Sequence, residues 1–75
     1  MTYKELGQLI QKRRKNLGMT QVELGSLAEV SFRTIQNIEL GKRGHVHTLR
    51  SVLQLLGLDV KVFIIDKDES IEIEF

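Results

Sequence analysis

The sequence predicts a small, mainly α-helical domain of about four helices that closes with a short β element. Three observations carry that expectation. Helix-start signals recur three times within the first 31 residues, at Thr2, Thr20 and Ser31. The apolar residues behind them repeat at helical spacing as far as Leu56. Beyond Gly57 the spacing changes to a period of two.

The first two starts are S/T-x-x-E capping boxes, Thr2 with Glu5 and Thr20 with Glu23. In each, the threonine oxygen accepts from the third helical N–H while the glutamate reaches back to the threonine N–H. Met1 with Leu6 and Met19 with Leu24 stand at the staple positions around those caps. Ser31 is a third N-cap, with Val30 and Ile35 as its staple. Helix one is therefore expected from Tyr3 to Asn16, burying Leu6, Leu9, Ile10 and Leu17, with Gly18 as its stop. Helix two runs from Gln21 to Ala28, with Val22, Leu24 and Leu27 as candidates for burial. Helix three runs from Phe32 to about Leu40 and stops at Gly41. In helix four, His47 to Leu56, the residues Leu49, Val52, Leu53 and Leu56 repeat at i, i+3, i+4 and i+7. After Gly57, "VKVFII" is β-branched and apolar, and "SIEIEF" alternates strictly around the polar turn "DKDE". Two strands follow from that pattern, most simply as a hairpin. A two-stranded hairpin is marginal alone in water, so its apolar faces call for a partner surface, simplest as a second copy.

With 75 residues the chain holds one small domain, which buries only about 60% of its unfolded surface. No cysteine is present to staple it, in keeping with a reducing compartment, and there is no proline, repeat or low-complexity tract. The net charge of +1 averages two unlike halves. Through Leu56, nine Lys/Arg face four Asp/Glu; from Gly57 onward, two lysines face six acidic residues. A basic body suits a polyanion, and the acidic tail suits another task. No stretch approaches the roughly 18 apolar residues that span a bilayer, and "MTYKELGQLI" lacks the order of a secretion signal. Cytoplasm is the expected location.

Helices two and three are joined only by "EVS". So brief a connection between short helices forces a sharp crossing, the arrangement of a helix-turn-helix. In that geometry the second helix lies in the DNA major groove and the first crosses the backbone. With Ile35 and Ile38 inward, Phe32, Arg33, Gln36 and Asn37 project outward. Arg33 can fork onto guanine, and Gln36 or Asn37 can pair two-point with adenine.

The stretch "RRKNLGMTQVELGSLAEVSFRTIQNIELGK", Arg13 to Lys42, resembles the helix-turn-helix of the XRE, or lambda-repressor-like, family. Its continuation "HTLRSVLQLLGLDVKVF" is similar to the narrower HipB-like antitoxin group, where a helix ending in "LGL" feeds a strand that pairs across a dimer. The resemblance implies a lambda-repressor-like bundle over residues 1–57 and a β dimerisation element over 58–75, in one compact unit. It places Gln21 on the DNA backbone, bracing the reading helix, and sets Phe32, Arg33 and Asn37 at base edges. Lys42 and Arg43 match a loop that grips phosphate, and Arg14 and Glu39 match an internal ion pair. Two positions depart from the pattern. Gly25 stands where the family usually has alanine, and Glu29 replaces a turn glycine that often has positive φ.

Some residues keep two readings. Phe32 presses on a thymine methyl, or folds over helix two or meets a partner protein. The outward polar side chains of helix three touch DNA or are a solvated face. "QKRRKN" is a solvated basic run, or Lys12 and Arg13 attract phosphate. "HVH" lacks a third ligand, so no metal is expected, nor any cofactor. No phosphate loop, cysteine nucleophile or cleft-sized scaffold supports an enzyme.

The expectation is thus a sequence-specific repressor on a palindromic double-stranded operator. It acts as a homodimer joined by helix four and the strands, with Val60, Val62 and Ile64 or Phe63 and Ile65 in the seam. The HipB-like resemblance further implies an antitoxin that autoregulates its promoter and holds a HipA-like kinase toxin. The alternatives are a phage-type or housekeeping repressor without a toxin, and a protein-bridging adaptor without specific DNA binding.

Overall fold

The computed structural model describes residues 1–58 in full, together with the backbone of 61–65 and 70–74. Four helices follow in order: α1 Tyr3–Asn16, α2 Gln21–Ala28, α3 Phe32–Glu39 and α4 Val46–Leu55. Strand β1, Lys61–Ile65, runs antiparallel to β2, Ser70–Glu74, with Val62 opposite Ile73 and Ile64 opposite Ile71.

The helix starts are set by local chemistry. In both capping boxes the threonine Oγ1 accepts from the glutamate N–H at 3.0 Å, and the glutamate Oε1 accepts from the threonine N–H at 3.0 Å. Those bonds hold the carboxyls of Glu5 and Glu23 below the ordinary glutamate value, chiefly through the backbone N–H of Thr2 and Thr20. Ser31 caps α3 by accepting from the Thr34 N–H at 3.2 Å. Helix α4 starts one residue earlier than its apolar repeat suggests, with His45 as an N-cap that makes no side-chain capping bond.

One core joins the four helices: Tyr3, Leu6 and Ile10 from α1, Leu24 from α2, Ile35 and Ile38 from α3, and Leu49, Val52 and Leu53 from α4, closed by Leu56. Three expected core residues lie outside it: Leu17, Val22 and Leu27 are 51%, 62% and 59% exposed. Leu17 is the cap residue that ends α1. Val22 stands two residues, about 200° of helical rotation, from the buried Leu24, and so faces away from the core. Leu27 lies in the last turn of α2, on the rim of a recess shared with Ser51 and Leu55 of α4.

The turn between α2 and α3 explains both departures from the family pattern. Glu29 is left-handed, φ 58° and ψ 38°, so the turn keeps its shape without glycine. Such a conformation costs an L-residue about 1–2 kcal/mol. Gly25 is buried where the chain returns over α2: a Cβ there would lie 2.9 Å from the Val30 carbonyl oxygen and 3.3 Å from the Phe32 nitrogen. The absent methyl lets α3 begin close against α2.

Candidate nucleic-acid interface

The outer surface of α3 follows from what its inner surface buries. Ile35 and Ile38 are 0% and 3% exposed, and at 100° per residue this turns positions 32, 33, 36 and 37 outward. Phe32 is 49% exposed and Arg33 is exposed, while Gln36 and Asn37 are half-buried. The pairs Phe32–Gln36 and Arg33–Asn37 are each four residues apart, so the four side chains form one stripe. None of the three polar ones hydrogen-bonds another described side chain. Arg33 brings a planar fork of donors, and each amide brings a donor beside an acceptor, the chemistry that matches base edges.

Behind that stripe, Glu39 holds the C-terminal end of α3. Its Oε2 accepts from Arg14 Nε at 2.7 Å and its Oε1 from Arg14 Nη2 at 2.9 Å. The same Oε1 accepts from Gln21 Nε2 at 3.1 Å, and Arg14 Nη1 donates to the Met19 carbonyl at 2.8 Å. The Arg14 and Glu39 side chains are only 8% and 3% exposed. Bonding to Glu39 raises the Arg14 pKa above its ordinary value, against the opposing effect of burial. The Arg14–Glu39 pair thus draws together α1, the α1–α2 loop, the start of α2 and the end of α3. Gln21 gives one of its two amide N–H groups to this brace, which ties the start of α2 to the end of α3.

The loop after α3 brings cations beside the stripe. The Lys42 N–H donates to the Asn37 carbonyl at 3.0 Å, and the Lys42 side chain is exposed. Arg43 is exposed, with Cζ 6.0 Å from the centre of the Tyr3 ring, at the outer limit of a cation–π contact. Asn37 and Arg43 line one recess of about 200 Å³ between α3 and the start of α4, together with Thr34, His45 and Thr48. No side chain caps the first turn of α4 at this recess. Open N–H groups at a helix start, with an arginine beside them, suit an anionic oxygen.

Thr34 and Thr48 were not singled out in the sequence, and His45 was weighed there only as part of "HVH" and its metal reading. Thr34 lies three residues from the cap Ser31, whose Oγ is 3.1 Å from the Thr34 Oγ1, and Thr48 reaches the recess because the loop after α3 returns the start of α4 to it. The basic run on α1 divides. Lys12 is exposed, whereas Arg13 is half-buried and its Nε donates to the Leu56 carbonyl at 3.0 Å, at the far end of α4. Arg13 is therefore withdrawn from the phosphate role open to it in sequence. His45 and His47 are both exposed, and among the described residues no three acidic, histidine or cysteine side chains gather as a metal would require. No described helix is long and apolar enough to cross a membrane. Of the seam residues, Val60 and the side chains of Val62, Phe63, Ile64 and Ile65 lie outside the described residues.

A short helix held from behind, a polar stripe on its outer face and a cationic loop at its end make a surface for a grooved polyanion. The comparison with known families agrees. No curated protein matches the chain. The family model described as helix-turn-helix matches residues 10–63, from the middle of α1 into β1. The chain belongs to the XRE-like helix-turn-helix family of DNA-binding transcription regulators.

Proposed function

We propose that the chain is a sequence-specific repressor that binds a palindromic operator as a homodimer. The outer stripe of α3 carries the reading: an arginine and two amides stand exposed or half-exposed on a helix whose other side is fixed by a buried ion pair. In this mechanism α3 enters the major groove. Arg33 forks onto a guanine, Asn37 and Gln36 pair with adenine, and Phe32 presses on a thymine methyl. Lys42, Arg43 and the start of α4 hold phosphate oxygens and set the register. Gln21, at the start of α2, stands at the groove's edge while bracing Glu39.

The dimer seam is formed by α4 and the C-terminal strands through Val60, Val62, Phe63, Ile64 and Ile65. Two copies of α3 about 34 Å apart would then read half-sites one helical turn apart. Occupying a promoter in that way represses it by exclusion. The finer reading, an autoregulating HipB-like antitoxin that holds a HipA-like kinase, rests on the resemblance of "HTLRSVLQLLGLDVKVF" alone. Co-purification of a kinase from native cells tests it separately from DNA binding.

The deciding experiment is fluorescence anisotropy on DNA from upstream of the protein's own gene, with a random duplex titrated alongside at several salt concentrations. We expect upstream DNA to bind at least about 10³-fold tighter than random DNA. Equal and weak binding to both, erased by salt, would overturn autoregulation and leave a distant operator or an adaptor that uses this fold for protein contacts; the absence of any motif from a random duplex pool would then single out the adaptor.

A further inference from the structure

We propose that Arg13 is a positioning residue that sets the angle between the reading helix and the C-terminal strands, and thereby the half-site spacing the dimer prefers. The inference rests on the dimeric operator reading above.

Arg13 and Arg14 are neighbours on α1, about 100° apart around the helix, and they leave it in different directions. Arg14 runs to Glu39 at the end of α3. Arg13 runs to the end of α4, 43 residues away in sequence, where its Nε donates to the Leu56 carbonyl at 3.0 Å. The last carbonyls of a helix have no partner within it and carry the negative end of its dipole. Helix α4 has no basic residue of its own in its last turn. Arg13 supplies that cation from another helix, through a charge-assisted bond stronger than a neutral one.

The bond sits at the root of the strands. The chain turns at Gly57, φ 85°, and a Cβ added there would lie 3.2 Å from Arg13 Nη2, so the guanidinium closes over the turn. Among the described residues no other side-chain hydrogen bond reaches this junction. Helix α1 is therefore the common reference: Arg14 ties it to the reading helix, and Arg13 ties it to the place where the strands begin. Small changes at this joint are amplified. Across a body whose shortest extent is 19 Å, a tilt of about 10° moves the far side by about 3 Å, close to one base-pair step of about 3.4 Å.

The test uses the full chain and duplexes that carry its selected half-site twice, with centre-to-centre spacing varied in single base pairs. Wild type should prefer its best spacing by about tenfold over the neighbouring ones. Arg13→Met, which keeps an apolar stem and loses every donor, should remain a dimer by light scattering while that preference falls to about threefold or less. Its salt dependence should stay that of wild type, since Arg13 neutralises no phosphate in this account. Arg13→Gln, shorter and uncharged, should behave alike and decides the matter if the methionine variant does not fold. General loss of stability lowers affinity at every spacing and leaves the ratio intact, which separates positioning from structural support. A folded dimeric variant with the wild-type spacing ratio would overturn the proposal, as would a salt slope lowered by about 0.9, the mark of one lost phosphate contact. A wild-type protein that is monomeric, or binds single half-sites as tightly as paired ones, would instead sink the dimer reading and the proposal with it.

Discussion

The two faces of α3 differ in what their residues are committed to. On the inner face, Ile35 and Ile38 are buried and Glu39 accepts three side-chain bonds from Arg14 and Gln21. On the outer face, Arg33, Gln36 and Asn37 bond no described side chain, and Phe32 is 49% exposed in a protein with a small core. Eight residues thus divide between holding the helix still and leaving donors and acceptors open. A reading surface needs both, because a base pair is recognised only by side chains whose backbone does not drift. The two faces should therefore fail differently when altered, the inner one through stability and the outer one through selectivity.

The largest effect is expected on the inner face. Glu39→Ala leaves the Arg14 guanidinium buried without its counter-charge and should cost about 3–5 kcal/mol, seen as an early transition in a urea or thermal melt. A melt close to wild type would remove the buried pair from the account. On the outer face, Asn37→Ala should leave the melt nearly unchanged. Discrimination between the preferred operator and its single-base variants should fall by about 1–3 kcal/mol, read by competition binding. Loss of fold in that variant would blur the division between the faces.

Between the two faces lies the turn that launches α3. Glu29→Gly relieves a left-handed glutamate at some entropic cost in the unfolded chain, so a net gain of up to about 1 kcal/mol is expected in a urea melt. A destabilised variant would mean that the Glu29 side chain supports the turn in a way that outweighs its backbone strain. The smallest effect concerns the caps, which belong to neither face. Glu5 and Glu23 have folded-state pKa values below the ordinary 4.5. The stability they add is therefore present above that value and is lost as pH falls through the lower folded values. The Glu5→Gln, Glu23→Gln double variant should show a shallower fall in melting temperature on acidification; an acid limb as steep as wild type would contradict this.

What the sequence made legible was local. The starts of α1, α2 and α3 were readable at Thr2, Thr20 and Ser31, because a cap and its partner lie three residues apart. The outward stripe of α3 was readable because Ile35 and Ile38 fix the helical phase. The pairing of Arg14 with Glu39 was available only through family resemblance, since no spacing rule joins residues 25 apart. Arg13 was misleading for the same reason: in sequence it belongs to a basic run, and only the fold, which brings the end of α4 within its reach, sends it to Leu56. Leu27 passed for a core residue because its spacing from Leu24 is helical, yet it lines an open recess between the end of α2 and α4. Gly25 looked like a defect in a helix until the return of Val30 showed that no methyl fits there.

The most direct test of the account is selection of bound duplexes from a random pool by wild type and by Arg33→Ala, with both proteins confirmed as folded. If the outer face of α3 reads bases, wild type should yield a defined motif, and the variant should lose preference at the position contacted by Arg33 while keeping the others. An unchanged motif from the variant, or no motif from wild type, would contradict the claim that α3 is a base-reading helix.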